Sequence, residues 1–381
     1  MNGDRPEISL YFHIPFCTRK CDYCHFYVIP DKDPFKKQLM HSLHQEWLSW
    51  LPEIQNKTVT TIYFGGGTPS LLGAEAIGKI VEWIRCSSVC LSPDLEITLE
   101  ANPENISRHL MEQFFEVGVN RISIGIQSFN DDLLKILSRQ HSAQKAIEAI
   151  LHTAESGLTN ISIDLMYDLP SQSLESWMET LSTACSLPIT HLSLYNLTIE
   201  PYTSFYKKRD ALKTLLPEPE SSLAMYESAV DKLQEQGLMQ YEISAFAKAN
   251  FQSRHNMGYW KSRPFLGFGP SAFSYWGGKR FRNVANLNRY SQKLEDGESP
   301  VDFEEELSGE AKKRELVAVQ LRMISGVDLV HFQEVHGMLD EAIMNDLERL
   351  HHEGFLARKH SHYSLTKQGI LFYDTVATEL V

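Results

Sequence analysis

Cysteine is scarce in this sequence, and so are long apolar runs and positive charge. Six cysteines in 381 residues are too few for a disulfide-stabilised scaffold. No apolar run approaches the ~20 residues that a membrane-spanning helix needs. The chain carries 36 Lys and Arg against 49 Asp and Glu, a net charge of −13, which argues against nucleic acid as a partner.

A targeting signal is also missing from the first residues. They read Met-Asn-Gly-Asp-Arg-Pro-Glu and lead directly into an expected strand, without the apolar core of a signal peptide. We therefore expect a cytoplasmic protein. In that reducing compartment, cysteines that lie close together bind metal more often than they form disulfides.

The first 200 residues alternate apolar, β-branched segments with amphipathic helical ones. Five helices are expected, at 34–51, 73–85, 106–116, 142–156 and 174–184. Six segments have the composition of strands that are covered on both faces, namely 8–14, 60–64, 95–100, 121–127, 160–167 and 191–197. Such β–α units predict a parallel sheet with right-handed crossovers, either open or curved into a partial barrel.

This alternation ends after a further helix at 219–236. Residues 240–290 are rich in aromatics, Gly and Asn, and 291–313 are charged and linker-like. Three helices (310–323, 329–336, 339–353) and a hairpin (355–359 with 362–365) then suggest a winged-helix-like end. We predict a first domain at 1–237 that carries the site, and a smaller α+β domain at 238–381, divided into 238–290, 291–313 and 314–381.

Three of the six cysteines lie together, just after the first strand. Cys17, Cys21 and Cys24 have spacings of four and three, which lets three thiolates converge on one inorganic cluster. Iron–sulfur cubanes usually take four thiolates, so three would leave one iron with an open position. A zinc site completed by His13 or His25, or cysteines without a ligand, are the alternatives. We assign Cys86, Cys90 and Cys185 to packing.

Other polar and glycine positions fall at the carboxyl ends of the expected strands. Residues Gly65-Gly66-Gly67-Thr68-Pro69 follow the second strand, and consecutive glycines let the backbone approach a ligand. Glycines can also serve a tight turn, and a single polar strand-end residue is usually a cap. Ends of parallel barrel strands, however, meet at one rim, where active sites form. The polar residues at successive strand ends are Glu100, Gln127, Asp164 and Asn196.

The cysteine spacing, the glycine turn and the strand-end polar residues together resemble the radical S-adenosylmethionine (radical SAM) proteins. In that family three cysteines hold a [4Fe–4S] cluster, and the remaining iron is chelated by the amino and carboxylate groups of SAM. Reduction then cleaves SAM to a 5′-deoxyadenosyl radical. The resemblance implies an α/β fold: a partial (β/α)6 radical SAM barrel followed by the smaller α+β domain with its winged-helix-like end.

The same resemblance implies which residues contact SAM. Arg139 would pair with the SAM carboxylate, Asp164 with the ribose hydroxyls, and the glycine backbone with the amino group. A surface ion pair is the alternative for Arg139, because it follows a helix, although exposed pairs stabilise little. The full set of expected contacts is Tyr11, Gly66, Gly67, Thr68, Glu100, Gln127, Arg139 and Asp164.

Four phrases narrow the resemblance to the branch that contains oxygen-independent coproporphyrinogen III oxidase and its heme-chaperone relatives. The oxidase carries a further cysteine two residues after the third cluster ligand, where this chain has Phe26. It also has an extension before the phrase that begins at Tyr11. Decarboxylation of coproporphyrinogen is therefore not expected, and SAM cleavage stays open. The phrases are Tyr11-Phe12-His13-Ile14-Pro15-Phe16-Cys17, Glu100-Ala101-Asn102-Pro103, Gly125-Ile126-Gln127-Ser128-Phe129 and Ile163-Asp164-Leu165-Met166-Tyr167.

The run Arg254-His255-Asn256-Met257-Gly258-Tyr259-Trp260 resembles the His-Asn-x-x-Tyr-Trp motif of the chaperones in this branch. An imidazole beside flat aromatics suits an axial iron ligand and a stacking surface. His255 is thus the candidate heme ligand, and 238–290 the heme-linked region, with a packing histidine as the alternative. The family usually has Asp where this chain has His25, which could be a further heme or cluster contact or an exposed loop residue.

These observations predict a heme chaperone that binds heme, a [4Fe–4S] cluster and SAM, and delivers heme to acceptor hemoproteins, including ones at the cytoplasmic face of a membrane. It would act as a monomer or homodimer. The alternatives are the oxidase, which would decarboxylate the propionates of coproporphyrinogen III, and a barrel enzyme with a zinc site.

Overall fold

The computed structural model describes residues 5–381. Residues Met1–Asp4 lie outside the described residues. They begin both the predicted first domain and the segment that lacks a signal-peptide core. The first half alternates strands and helices as the sequence predicts. Its strands are β1 (Glu7–Ile14), β2 (Phe16–Cys17), β3 (Ile29–Pro30), β4 (Thr58–Gly66), β5 (Cys90–Ala101), β6 (Arg121–Gln127), β7 (Ile161–Tyr167) and β8 (His191–Asn196). Its helices are α1 (Asp33–Ile54), α2 (Ala74–Arg85), α3 (Arg108–Glu116), α4 (Asp131–Ile136), α5 (Ala143–Glu155) and α6 (Leu174–Cys185).

The six predicted strands form one continuous parallel sheet in the order β1-β4-β5-β6-β7-β8. Both faces of these strands are buried: Ile122, Ser123 and Ile124 in β6 are consecutive and all enclosed. Helices α3, α5 and α6 begin at serine caps, whose side chains accept a backbone N–H from the first turn, a contact that contributes about 1 kcal/mol. The predicted partial barrel is confirmed.

The sheet continues on both sides of the parallel core. Strand β11 pairs parallel with β1, β12 to β14 follow antiparallel, and β10 and β9 extend the other side beyond β8. Within residues 5–381 the two outer strands, β9 and β14, do not meet, so the barrel is open. The elements of this region are α7 (Ser204–Lys207), α8 (Arg209–Lys213), α9 (Pro219–Glu235), β9 (Met239–Glu242), β10 (Ala245–Ala247), α10 (Arg254–Trp260), β11 (Phe265–Phe268), β12 (Phe273–Trp276), β13 (Lys279–Asn283), α11 (Leu287–Glu295) and β14 (Val301–Glu306).

The linker-like interpretation of 291–313 is wrong, because this stretch contains the end of α11 and the whole of β14. Its charges belong to an exposed outer strand that is paired with β13 by cross-strand ion pairs. The side-chain atoms are 2.7 Å apart in Lys279–Glu304 and 2.8 Å apart in Arg280–Glu305. An exposed strand and a linker have the same polar composition, so composition alone does not separate them.

The C-terminal part has its own buried core, which includes Val317, Leu347, Tyr363 and Leu380. The predicted order of three helices and a hairpin is confirmed, and a short extra strand completes a three-stranded sheet in the order β15-β17-β16. The elements are α12 (Gly309–Gln320), β15 (Val327–Asp328), α13 (Leu329–His336), α14 (Glu341–His352), β16 (Leu356–Lys359), β17 (His362–Leu365), α15 (Lys367–Leu371) and α16 (Tyr373–Leu380).

A buried carboxylate joins α1 to the segment β11–α11. Glu46 is 1% exposed, and its two oxygens accept hydrogen bonds from the Gly269 backbone N–H (2.8 Å), from Asn283 Nδ2 (2.6 Å) and from the Tyr290 hydroxyl. Burial raises the pKa of Glu46 to about 7 despite these donors. This side chain thereby adds a buried link between the sheet extension and the barrel to the pairing of β11 with β1.

Two smaller expectations are also resolved. Within residues 5–381 no helix combines the length and the apolar composition that a bilayer crossing requires. The packing assignment is confirmed for Cys185, which is half-buried against the main core, and is wrong for Cys86 and Cys90, which are exposed. Cys86 ends α2 and Cys90 begins β5, where the chain turns at the surface.

Candidate functional site

The carboxyl ends of the parallel strands surround a cavity of about 410 Å³, called the rim cavity below. Strands β5 to β8 each deliver at least one polar residue to it, because parallel strands all end on the same side of the sheet. The predicted site residues that line the rim cavity are Cys17, Cys21, Cys24, Gly66, Gly67, Glu100, Gln127, Arg139 and Asp164.

The three cysteines lie on the loop between β1 and α1. The Cys17 sulfur lies 3.6 Å from Thr68 Oγ1, and the Cys21 sulfur accepts from Arg139 Nη1 at 3.6 Å. Burial raises the pKa of the Cys17 thiol to about 11, and it also raises the pKa of Cys24. Both are thiols at neutral pH, so binding of metal as thiolates would release protons.

The donor set fits an iron–sulfur cluster better than a single zinc ion. No group of three or more His, Cys, Asp or Glu side chains among the described residues is arranged around a single metal position. His13 is already engaged, since its ring nitrogens lie 3.1 Å from the Tyr11 hydroxyl and from the Tyr27 carbonyl. Three thiols that share one cavity wall can instead bind a group wider than one ion.

The glycine turn has a steric explanation as well as a functional one. A Cβ on Gly66, whose φ is +114°, would lie 2.5 Å from the His13 ring, and a Cβ on Gly67 would lie 2.6 Å from the Phe16 carbonyl oxygen. Because β1 and β4 approach so closely here, no side chain fits between them. The Gly66 N–H donates to Glu100 Oε2 at 3.1 Å and so holds the carboxylate at the rim.

We expect Gly66→Ala to destabilise the protein by roughly 2–3 kcal/mol, because the added methyl both clashes with His13 and strains a positive φ. Chemical unfolding of the metal-free protein measures this effect. Gly73→Ala is the matched control, since Gly73 also has a positive φ but has nothing within 4 Å of its Cβ position. Equal losses of unfolding free energy in Gly66→Ala and Gly73→Ala would show that backbone strain, without the clash with His13, causes the destabilisation.

The acidic residues of the rim are held in a desolvated environment. Glu100 accepts from the Tyr63 hydroxyl at 2.7 Å, while burial, with the nearby Asp164 carboxylate, raises its pKa to about 7. Burial also raises the pKa of Asp164, which accepts from Ser123 Oγ at 3.3 Å. A cationic group in the rim cavity would favour the ionised form of both carboxyls.

Arg139 reaches into the rim cavity, and its alternative interpretation as a surface ion pair is wrong. Its Nη2 donates to Asn102 Oδ1 at 2.8 Å and to the Gly125 carbonyl. Its buried Nε has no hydrogen-bond partner among the described residues. A guanidinium with a donor left over suits an anionic ligand.

Three predicted site residues do not line the rim cavity. Thr68 is buried behind it, where Oγ1 accepts from Asn102 Nδ2 at 2.9 Å beside Cys17. Tyr11 lines a second cavity, which lies next to the rim cavity. His255 lines neither of these two cavities.

His255 is 1% exposed, and both ring nitrogens are engaged. Nδ1 lies 2.7 Å from Thr61 Oγ1, and Nε2 lies 2.7 Å from the Tyr259 hydroxyl. Burial lowers the pKa of His255 to about 3, so the ring is neutral at physiological pH. An iron ion would have to displace one of these two hydroxyl groups, so this geometry does not favour His255 as a heme ligand.

A second cavity of about 580 Å³ adjoins the rim cavity, and we call it the aromatic cavity. Its wall combines aromatic rings with cationic side chains, and His25 and Phe26 line both cavities. The aromatic cavity lies between the barrel and α12. Its aromatic and cationic lining comprises Tyr11, Phe26, Tyr27, Tyr259, Trp260, Phe265, Phe273, Tyr275, Arg263, Arg280 and Arg282.

Sequence reasoning missed two kinds of site residue. Asn102 joins Thr68 to Arg139, and Tyr63 orients Glu100. Asn102 could have been found from its position directly after β5 and before Pro103. The sequence indicates the aromatic cavity only in part: residues 240–290 are rich in aromatics, but the lining residues Tyr11, Phe26 and Tyr27 and those of α12 lie far from them in the chain.

The partial parallel barrel and its cysteine-lined rim define a radical SAM protein. The family model "Radical SAM superfamily" matches residues 11–184, and the model "HemN C-terminal domain" matches residues 307–372. The chain is 35% identical over 369 residues to the heme chaperone HemW of Bacillus subtilis, with 97% of each chain covered. It is 32% identical over 376 residues to the heme chaperone HemW of Escherichia coli, again covering 97% of both. The chain therefore belongs to the HemW family.

A solved structure agrees with this assignment at the level of the fold. The coproporphyrinogen III oxidase HemN from Escherichia coli, described as a radical SAM enzyme, superimposes with a TM-score of 0.85. The match covers 99% of this chain and 90% of that chain at 24% identity. The open barrel and the C-terminal domain thus form a shared architecture.

Proposed function

We propose that this chain is a heme chaperone that binds heme and delivers it to acceptor hemoproteins. The observation that carries the proposal is the adjacency of the two cavities: one is lined by the three clustered cysteines and Arg139, and the other has an aromatic and cationic lining. Its relatives in Bacillus subtilis and Escherichia coli are both named heme chaperones. Aromatic faces and cationic rims suit a flat ring that carries carboxylates.

In the rim cavity, Cys17, Cys21 and Cys24 would hold a [4Fe–4S] cluster. When bound, the cluster supplies an iron with an open coordination position for SAM and an electron for its cleavage. Arg139 would pair with the SAM carboxylate through its leftover donor. Glu100 would accept from the SAM amino group, beside the backbone of Gly66.

The remaining predicted contacts are distributed over the same rim. Asp164 would accept from the ribose hydroxyls, and Gln127 and Gly67 would line the same ligand. Thr68 lies behind the rim cavity and would position the Cys17 sulfur through their contact. Tyr11 would support the wall between the two cavities. Whether SAM is cleaved or only bound stays open in this proposal.

Coproporphyrinogen oxidation is the competing function, since the oxidase has the same fold. The oxidase has a further cysteine where this chain has Phe26, and Phe26 lies between the two cavities. An apolar ring there supplies neither a thiol nor a proton. The cytoplasmic location, the monomeric or homodimeric state and the identity of the acceptors, membrane-bound ones among them, stay predictions.

An anaerobic heme titration of the cluster-reconstituted protein, followed by absorption, tests the proposal. Stoichiometric binding without decarboxylation of coproporphyrinogen III, in the presence of SAM and a reductant, is expected. Turnover of coproporphyrinogen III by a protein that fails to bind heme would establish the oxidase instead.

His255→Ala belongs in the same titration. We expect it to bind heme with unchanged stoichiometry and spectrum, because its ring nitrogens contact Thr61 and Tyr259 rather than a cavity. It should lose roughly 2–4 kcal/mol of unfolding free energy, because a buried ring and two hydrogen bonds disappear. An altered heme spectrum with unchanged stability would restore His255 as the ligand.

A further inference from the structure

The aromatic cavity has the size and lining of a ligand site. Its volume of about 580 Å³ lies within the range of pockets that enclose small molecules, roughly 300–1,000 Å³. Phe26 and Phe273 on its wall are 51% and 48% exposed. Large apolar rings that face an open cavity are unfavourable in water, and an apolar ligand would cover them.

Two buried polar atoms of this wall lack partners. Trp260 Nε1 and Ser262 Oγ are enclosed, and neither has a hydrogen-bond partner among the described residues. Nearly all buried polar atoms in proteins are paired. Both donors are shielded from water behind the wall, and a small rotation of either side chain would be needed to present it to an acceptor on a ligand.

The charges of the wall favour an anionic ligand. Arg282 uses Nε and Nη2 for Asp302 Oδ1, and Nη1 makes no hydrogen bond to another described residue. Arg280 pairs with Glu305 and with Glu315, the acidic side chain of this wall. Arg263 Nη2 lies 3.4 Å from Glu7 Oε2. Arg280 and Arg263 are therefore neutralised by acidic partners, whereas Nη1 of Arg282 remains to donate to a ligand carboxylate.

One histidine of this region is free to bind a metal. His13 and His255 have both ring nitrogens within hydrogen-bonding distance of protein atoms. The ring of His25 has no such contact among the described residues; it is exposed and stacks on Phe26 with 4.6 Å between ring centroids. An imidazole with a free nitrogen is a good axial ligand for heme iron.

We propose that heme binds in the aromatic cavity, with its ring among the aromatic side chains of the wall, its propionates near Arg282, and its iron facing His25. This inference rests on the proposed function and locates its cargo. The His-Asn-x-x-Tyr-Trp motif then has a different role from that predicted. His255 is a positioning residue that holds the Tyr259 hydroxyl, while Tyr259 and Trp260 form the wall.

The wall is tested by heme titration of the full-length, cluster-reconstituted protein carrying Phe273→Ala or Arg282→Gln. Each should raise the heme Kd about tenfold, because each removes a stacking face or a carboxylate partner. Phe115→Ala and Arg289→Gln are the matched controls. Phe115 is 49% exposed on α3, Arg289 is exposed on α11, and neither lines the cavity.

The absorption and electron paramagnetic resonance spectra of the bound heme test His25 as the iron ligand. His25→Ala should shift the Soret band and abolish the electron paramagnetic resonance signal of a histidine-ligated heme, whereas the exposed His41→Ala should change neither. Wild-type Kd and spectrum in Phe273→Ala, Arg282→Gln and His25→Ala would overturn the proposed site and leave the chaperone function intact. Failure of the unmodified protein to bind heme would overturn the function itself.

Discussion

Cys24→Ala, like Cys17→Ala and Cys21→Ala, is expected to lower the iron content of the anaerobically reconstituted protein from about four per chain to near zero. All three thiols lie on one wall of the rim cavity, so each supplies a ligand that the other two do not replace. Iron analysis and the visible absorption of the cluster measure the loss.

Cys86→Ala is the control for this series, because Cys86 is exposed at the end of α2, far along the chain from the cluster loop. It should bind iron as the unmodified protein does. Full iron content in Cys24→Ala would contradict the three-cysteine site, and stoichiometric zinc in the unmodified protein would restore the zinc alternative.

Glu46→Leu should lower the free energy of unfolding by roughly 3–5 kcal/mol, because three buried donors lose their acceptor at once. Those donors are the Gly269 N–H, Asn283 Nδ2 and the Tyr290 hydroxyl. Urea unfolding of the metal-free protein measures the loss. Glu53→Leu, on an exposed position of the same helix, should change stability by less than about 0.5 kcal/mol.

The pH dependence of Glu46→Gln gives a second check. The folded pKa of Glu46 is about 7, above the ordinary value of 4.5. Its protonated form therefore contributes stability that is fully present below pH 4.5 and is lost as the pH rises through 7. Relative to the unmodified protein, Glu46→Gln should be less destabilised at pH 8 than at pH 5. The same loss at both pH values would mean that Glu46 does not titrate with a raised pKa.

The sequence predicted the features that depend on local pattern. Strands buried on both faces, the cysteine spacing and the glycine turn are each visible within a few residues, and the structure has all three. Expectations that depended on neighbours in space were less successful. Strands β9 to β13 are three to five residues long, and their place in the sheet is set by partners far away in the chain.

His255 illustrates the limit best. Its motif indicated the correct region, but its role depends on Thr61, which lies 194 residues earlier in the chain. Arg139 depends on distant residues as well. Its position after a helix left a surface ion pair open as the alternative to a SAM contact, and the loop after α4 turns the side chain inward to Asn102 and Cys21.

The open sheet has a consequence for how copies of this protein meet. Strand β14 is an outer strand, and unpaired backbone groups on such a strand can recruit a strand from another molecule. Here Asp302, Glu304, Glu305 and Glu306 occupy the strand and form ion pairs with Lys279, Arg280 and Arg282 of β13. Charged side chains on an edge strand oppose pairing with a strand of another molecule. Concentrated salt screens such charges, so we expect this edge to be best protected at ordinary ionic strength.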